Sequence, residues 1–490
     1  MIAAKNPQEE EKEEEEEDQH EQQQQQVIDK VCIIGSGNWG SAISTIIGKN
    51  CARLPYYETP VNMWVYEEMI DADSHGRGEG EGGGGNNTKK KQKLTEIINT
   101  RHENSKYLPG ITLPTNIIAI PDLKEACRDA TVLIFVLPHQ FLPKLLPVIR
   151  QCANINSKFC RGISLIKGID FCETTRRPIL ISQCIEDGMN RNRNRMGKAT
   201  THLNFQCGVL MGANVANEVA QGQMCESTLA SHFTIDGKSS TTTAIDLNER
   251  TRQLFDAPPY FRVQHIKDVA GAEVCGALKN VIALGAGFVD GLGLGGNTKA
   301  ALLRVGLREI SNFCHFFFKD RGISETTFME SCGMADLITT CYGGRNRKCA
   351  EAFARERQRH ATATTTAVTP GPNNDDDTTV TIQQRKHQQQ QLLCKELWSR
   401  IELELLKGQK LQGTITTKEV YQLLSSPSQN VIQEFPLIHM IYQISYEGKR
   451  VDCIVEGIYE YHPTHYGSAN HLTLQLNRQI PPPPIHSSHL

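Results

Sequence analysis

The sequence predicts an α/β fold: a doubly wound, mostly parallel sheet followed by an all-helical C-terminal domain. Three observations carry that expectation. From Val27 to about Phe205, short Val/Ile-rich runs bounded by Gly or Pro alternate with helical stretches, the pattern of β-α-β units. A glycine-rich hexapeptide follows the first of these runs directly. After about Asp268, apolar residues recur at helical spacing in long segments without strand signals.

The strand candidates are Lys30–Ile34, Val61–Tyr66, Ile117–Ile120, Thr131–Leu137, Gly162–Ile166 and Val209–Met211. Helices are expected over Val269–Asp290, Thr298–Phe318, Arg347–Arg355, Leu392–Leu406 and Thr417–Leu424. The apolar stretch Val274–Leu294 holds five glycines, which fits a buried helix approached closely by other backbone. Other stretches lack the apolar surface that would offset the entropy of ordering them. These are the Glu/Gln-rich tail 1–26, the segments 71–93, 186–200 and 356–391, and the Pro-rich end 478–490. A polar stretch at 233–250 reads as a further surface loop. The expected organisation is a sheet domain over 27–267, with inserts at 71–93, 186–200 and 233–250, and a helical domain over 268–477 with an insert at 356–391.

Composition narrows the function. The formal charge of −3 hides a tail in which nine Glu and one Asp face two Lys, so the rest of the chain is positive, a balance suited to anionic ligands. No apolar run reaches 18 residues and the start lacks the basic-then-apolar order of a signal peptide, so neither membrane insertion nor secretion is expected. The 16 cysteines are scattered, without Cys-x-x-Cys or zinc spacing, which fits buried thiols in a reducing compartment and no metal. Basic residues form no stripe interleaved with aromatics, so nucleic acid is not an expected partner.

The hexapeptide is Gly35-Ser36-Gly37-Asn38-Trp39-Gly40, between strand and helix, the diagnostic setting of a Rossmann-type dinucleotide site. Its first glycine allows a tight turn, its second lets backbone approach a pyrophosphate, and its third lets helix pack on strand. The second strand ends at Glu67, whose carboxylate would accept from a ribose 2′-hydroxyl and repel a 2′-phosphate, favouring NAD; an ordinary solvated strand end is the alternative. Tyr66 would stack on the adenine or merely pack.

Seven motifs in order then carry a resemblance: Gly-Ser-Gly-Asn-Trp-Gly-Ser-Ala-Ile, Val-Leu-Pro-His-Gln-Phe (136–141), Ser-Leu-Ile-Lys-Gly (164–168), Met-Gly-Ala-Asn-Val-Ala (211–216), Cys-Gly-Ala-Leu-Lys-Asn-Val (275–281), Ala-Asp-Leu-Ile-Thr-Thr-Cys-Tyr-Gly-Gly-Arg-Asn-Arg (335–347) and Gly-Gln-Lys-Leu-Gln-Gly (408–413). Together they resemble the eukaryotic cytosolic type of NAD-dependent glycerol-3-phosphate dehydrogenase over about residues 30–462. The resemblance implies reversible hydride transfer between NADH and dihydroxyacetone phosphate, giving sn-glycerol 3-phosphate and linking glycolysis, NADH reoxidation and glycerolipid synthesis. It also implies a homodimer in the cytoplasm. The alternative location is the peroxisome: the final Ser488-His489-Leu490 is similar to a Ser-Lys-Leu peroxisomal address, a chance match on a polar tail being the other reading.

Ketone reduction needs a proton donor at the developing alkoxide, a group that polarises the carbonyl, and cations for the phosphate. Lys279, in an otherwise apolar helix, fits the acid/base because burial lowers a lysine pKa; by pattern alone it is equally a lysine snorkelling from a helix flank. The resemblance makes it the catalytic lysine, places Lys167 on the substrate and cofactor side, and pairs Asp336 with Lys279, an N-cap being the other reading of Asp336. Asn214 and Asn280 are neutral donors suited to substrate oxygens, or turn and packing groups. Gly343-Gly344-Arg345-Asn346 before a helix makes an anion site, read as the substrate-phosphate site on Arg345 and Asn346 with Thr340 nearby, or an ordinary turn. By resemblance Phe141, Ala216, Arg345, Lys410 and Gln412 contact the cofactor. His139 is read as structural.

Two other functions stand beside this one: a related two-domain dehydrogenase acting on another phosphorylated or acidic hydroxy compound, and a dinucleotide-sensing module without catalysis.

Overall fold

The computed structural model describes residues 28–71, 91–155, 157–172, 177–191, 205–235, 238–239, 246–365, 376–407, 409–427 and 429–460, with 71, 238–239, 361–365, 376–383 and 386 described by backbone alone. The tails 1–26 and 478–490, the terminal Ser488-His489-Leu490 and most of the stretches at 71–93 and 186–200 lie outside these residues.

Eight strands form the main sheet: β1 (Val31–Ile34), β2 (Val61–Trp64), β3 (Ile117–Ile120), β4 (Val132–Phe135), β5 (Arg161–Ser164), β6 (Gln206–Met211), β7 (Cys225–Ala230) and β8 (Phe261–Ile266). Their spatial order is β8-β7-β6-β5-β4-β1-β2-β3, and only the β6–β7 pairing is antiparallel. The order 3-2-1-4-5-6 of a doubly wound dinucleotide fold is thus present, with β7 and β8 added at one edge. In that arrangement the ligand crevice opens where the order reverses, between the carboxyl ends of β1 and β4. The central strands β1 and β4 are buried on both faces, as a sheet covered by helices requires.

Helices α1 (Asn38–Arg53), α2 (Leu94–Arg101), α3 (Leu142–Cys152), α4 (Ile181–Asn190) and α5 (Leu247–Phe255) accompany the sheet. The stretch 233–250, expected to be a loop, is partly ordered: Thr234–Ile235 pairs with Lys238–Ser239, and α5 starts at Leu247. There Asp246 accepts from Asn248 N and Glu249 N, while Leu247, Leu254 and Phe255 enter the core.

Helices α6 (Val269–Gly291), α7 (Gly296–Phe318), α8 (Asp336–Gly343), α9 (Arg345–Thr365), α10 (Asp376–Leu406), α11 (Gln412–Leu424), α12 (Pro436–Tyr442) and α13 (Ile454–Tyr459) make the C-terminal half. Asp268 caps α6, accepting from Gly271 N at 2.7 Å. By length and composition α6 would pass for a membrane span, contrary to the expectation that no segment would, but every residue from Ala270 to Val289 is buried among its neighbours. Gly287 explains part of that packing, since a Cβ there would lie 2.3 Å from Arg347 O on α9. The segment 356–391, expected to be an insert, is helical at both ends, α9 running to Thr365 and α10 starting at Asp376. Arg357 ties the two, donating to Gln390 Oε1 at 2.6 Å and to Gly448 O at 2.7 Å.

The halves meet at α6. Buried Glu273 accepts from Ile181 N, from Ser182 N and from Ser182 Oγ at 2.6 Å, so a helical-half carboxylate caps α4 of the sheet half. Burial pushes its carboxyl up to about 7.

Candidate functional site

The glycine turn is built as its sequence demands at Gly35 and Gly40. Gly35 has φ +120°, and a Cβ on it would meet Val136 O at 2.4 Å. One on Gly40 would meet Gly35 O at 2.4 Å. Gly37 differs: a Cβ there would touch no protein atom, so nothing within the fold requires glycine. The close backbone approach of a pyrophosphate does, and the N-terminus of the 16-residue α1 at Asn38 favours that anion. The residues present therefore fit a dinucleotide. Asn104, which the sequence analysis missed, locks the turn by donating to Ser36 O at 2.9 Å and Ser41 Oγ at 2.8 Å. An Asn far along the chain, in a polar stretch, gave no signal.

Around this turn the other cofactor candidates take mixed positions. Asn38 donates to Tyr107 O at 2.6 Å and to Asn217 Oδ1 at 3.0 Å. Trp39 and Ala216 are partly buried against the same core cluster. Tyr66 is 73% exposed, so its packing alternative is removed. Glu67 is neither a free ribose acceptor nor a merely solvated strand end: it accepts from Thr95 N at 3.3 Å and Thr95 Oγ1 at 2.7 Å, holding the first turn of α2. Each oxygen keeps one lone pair for a ligand hydroxyl. Phe141 ends a short 3-10 turn and is exposed. Burial holds the neighbouring His139 below the usual histidine range, against the pull of Asp170.

The structure brings Lys279, Asp336, Thr340 and Lys167 together. Lys279, at mid-α6 and only 6% exposed, donates to Asp336 Oδ1 at 2.5 Å and Thr340 Oγ1 at 2.8 Å. It is no snorkelling flank residue. Lys167, in the loop after β5, donates to the other carboxylate oxygen, Oδ2, at 3.0 Å and to Gly212 O at 2.9 Å. Asp336 follows a π-helical turn, Ser331–Ala335, that runs straight into α8, so it caps no helix; one carboxylate bridges two cations instead. Burial lowers the Lys279 pKa to about 8, with the Lys167 charge acting in the same direction and the Asp336 carboxylate opposing. An ammonium so poised can give and retake a proton near neutral pH.

A second chain of contacts runs from Asn280, the next residue of α6. Its Oδ1 accepts from Asn346 Nδ2 at 2.8 Å, and Asn346 Oδ1 accepts from Gly413 N at 2.9 Å. Asn346 and Arg345 open the 21-residue α9, whose N-terminal dipole favours an anion. Arg345 is exposed and donates to Gln409 Oε1 at 3.2 Å. Lys410 pairs with Glu402 at 2.7 Å, and Gln412 donates to Thr416 Oγ1 at 3.2 Å. Asn214 stands apart: it donates to Glu226 O at 2.8 Å and accepts from Ser227 Oγ at 3.0 Å, both in β7, so its amide ties the segment after β6 to the neighbouring strand. Among the described residues no three His, Cys, Asp or Glu gather as a metal site.

The arrangement matches known proteins over most of the chain. Residues 30–234 fit the family model of the NAD-dependent glycerol-3-phosphate dehydrogenase N-terminus, and 268–399 that of its C-terminus. A glycerol-3-phosphate dehydrogenase 1-like protein of Danio rerio is 42% identical over 89% of this chain and 98% of its own length. The human cytoplasmic glycerol-3-phosphate dehydrogenase [NAD(+)] is 41% identical over 89% and 99%. The solved glycerol-3-phosphate dehydrogenase of Saccharomyces cerevisiae superposes with a TM-score of 0.67 at 37% identity, covering 88% of this chain and 99% of that one. With both family models matched in sequence order and relatives this similar along nearly their whole length, the chain belongs to the NAD-dependent glycerol-3-phosphate dehydrogenase family.

Proposed function

We propose that the protein reduces dihydroxyacetone phosphate to sn-glycerol 3-phosphate, reversibly, with Lys279 as acid/base. The observation that carries this reading is the buried Lys279–Asp336–Lys167 cluster. NADH supplies the hydride when bound. Lys279 donates its proton to the alkoxide that forms on the former carbonyl carbon, and burial then favours the neutral amine left behind. Asp336 holds that ammonium on line and compensates its charge, while Lys167, the more exposed of the two lysines, steadies the developing negative oxygen and lies toward substrate and cofactor alike. Thr340 fixes the Lys279 ammonium from the other side. Arg345, Asn346 and the start of α9 take the phosphate, with Asn280 setting the Asn346 amide. Lys410, in the loop before α11, and Gln412, the first residue of α11, reach the cofactor.

The family relatives named cytoplasmic support a cytoplasmic location, where the reaction would reoxidise NADH and connect glycolysis with glycerolipid synthesis. A homodimer is the expected assembly. Purified protein should oxidise NADH in the presence of dihydroxyacetone phosphate, far faster than it oxidises NADPH. Unchanged absorbance at 340 nm would sink the proposal, and activity with only a different hydroxy compound would replace its substrate.

A further inference from the structure

Gln409, Lys410 and Gly413 are each held by a different side chain. Arg345 donates to Gln409 Oε1 at 3.2 Å, Asn346 Oδ1 accepts from Gly413 N at 2.9 Å, and Glu402 of α10 takes both groups in between. One oxygen of Glu402 accepts from Leu411 N at 3.1 Å and the other from Lys410 Nζ at 2.7 Å. The pair is lopsided: the Glu402 side chain is 9% exposed and the Lys410 side chain 71%. A carboxylate taken out of water is fixed in place, whereas its lysine partner is free to swing. Lys410 therefore has a fixed anionic rest position beside the anion-binding end of α9.

We propose that Glu402 is a positioning residue that competes with the anionic cofactor for Lys410, setting NADH affinity by parking the lysine when the loop carries no ligand. This rests on the reading of Lys410 as a cofactor contact. The two bonds of Glu402 divide the work. The Leu411 N–H bond shapes the loop, and the Lys410 bond holds the cation in reserve. Binding NADH exchanges one carboxylate partner for another anion, so part of the attraction between Lys410 and the dinucleotide is spent on leaving Glu402. With its lysine 71% exposed the pair is screened by solvent and weak, so the competition amounts to roughly two- to fivefold in Kd.

Glu402→Gln keeps an acceptor for Leu411 N and removes the charge. NADH titrations followed by protein-to-nicotinamide energy transfer should then show a Kd lower by about two- to fivefold, with kcat changed less than Kd. A residue with a purely structural role would weaken binding on substitution and would not tighten it. Lys410→Met should weaken NADH binding, and in that background Glu402→Gln should have no further effect on Kd. If Lys410→Met leaves Kd unchanged, the cofactor role of Lys410 fails. If it weakens binding while Glu402→Gln leaves Kd unchanged or higher, the competition is refuted and the Lys410 assignment stands. Should Glu402→Gln fold poorly, Glu402→Asp, one methylene shorter, keeps the charge but loosens the lysine contact and should tighten NADH binding in the same direction by a smaller factor.

Discussion

Asp336 bridges two lysines, so neutralising it and removing one of its partners should move the same titration in opposite directions. In the wild type the proton on Lys279 is lost with a pKa of about 8, and the basic limb of kcat/KM for dihydroxyacetone phosphate reduction reports that loss in the free enzyme. Asp336→Asn removes the anion that lies 2.5 Å from Lys279 Nζ and opposes the downward pull of burial and of Lys167. An opposite charge at such range is worth about one to three pH units, or about 1.4 to 4 kcal/mol, so the limb should fall into the range of about pH 5 to 7. Lys167→Met instead removes a like charge that lowers Lys279, and should raise the limb by up to about one unit. The profiles are read from residual NADH oxidation between about pH 5 and 10. The asparagine variant should also lose up to about 3 kcal/mol of stability, because Lys279 must either stay charged in a buried site without its counter-ion or give up its proton. Equal basic limbs in all three proteins would refute both the acid role of Lys279 and the coupling through Asp336.

Further outcomes follow from single groups. Lys279→Met should lower kcat by roughly 10²- to 10⁴-fold while the NADH Kd from fluorescence titration stays within about twofold; a near-wild-type rate would remove it from the chemistry. Gly37→Ala should fold with stability unchanged within about 0.5 kcal/mol yet bind NADH at least about tenfold more weakly, whereas Gly35→Ala, at φ +120° and against Val136 O, should be destabilised. Equal losses of stability in the two would contradict the division between a ligand-facing and a fold-facing glycine. Glu309 in α7 accepts from Leu437 N at 2.8 Å and Ile438 N at 2.9 Å, and burial pushes its carboxyl up to about 8. The native state then holds a proton that the unfolded chain has lost, so stability falls as pH rises from about 4.5 to 8. Glu309→Gln should remove up to about 1.4 kcal/mol per pH unit of that slope in urea unfolding at pH 5.5 and 7.5, and parallel pH dependences would count against it.

How far the fold could be read depended on where each strand finds its partners. The six expected strands are apolar because helices cover both faces, and all six lie in the main sheet. Cys225–Ala230 was missed because its buried Ser227 and Thr228 break the apolar run. They are satisfied remotely, Ser227 Oγ donating to Met211 O at 3.1 Å and Thr228 Oγ1 accepting from Cys332 N at 3.2 Å. Phe261–Ile266 did carry a usable signal, since Phe-Arg-Val-Gln alternates buried and exposed residues. In the site, a lysine inside an apolar helix is a local conflict visible in sequence. The contact between Lys167 and Asp336, 169 residues apart, is not local: the resemblance to a family paired Asp336 with Lys279 and put Lys167 near the ligands, but that one carboxylate holds both lysines is legible only in the fold. Glu402 had no such help: a glutamate in an amphipathic helix looks like any solvated charge until the loop that folds over it is seen.

The same contacts that assemble the site restrict how it can open. Lys167 belongs to the sheet half, and Lys279 and Asp336 to the helical half, so separating the halves there would strip a buried carboxylate of a cation, at a cost of about 3 to 5 kcal/mol. Glu273, buried against the first turn of α4, adds a second tie of the same kind. The residues from Gln409 to Lys410 are held differently, by the exposed Arg345 and by the weak pair of a buried Glu402 with an exposed Lys410. On the proposed cofactor role of Lys410, ligand exchange would meet its lowest resistance at this loop. The Asp336 carboxylate could then stay fixed between its two lysines through the proposed cycle, which is what a proton donor tuned by burial needs if its pKa is to hold from one turnover to the next.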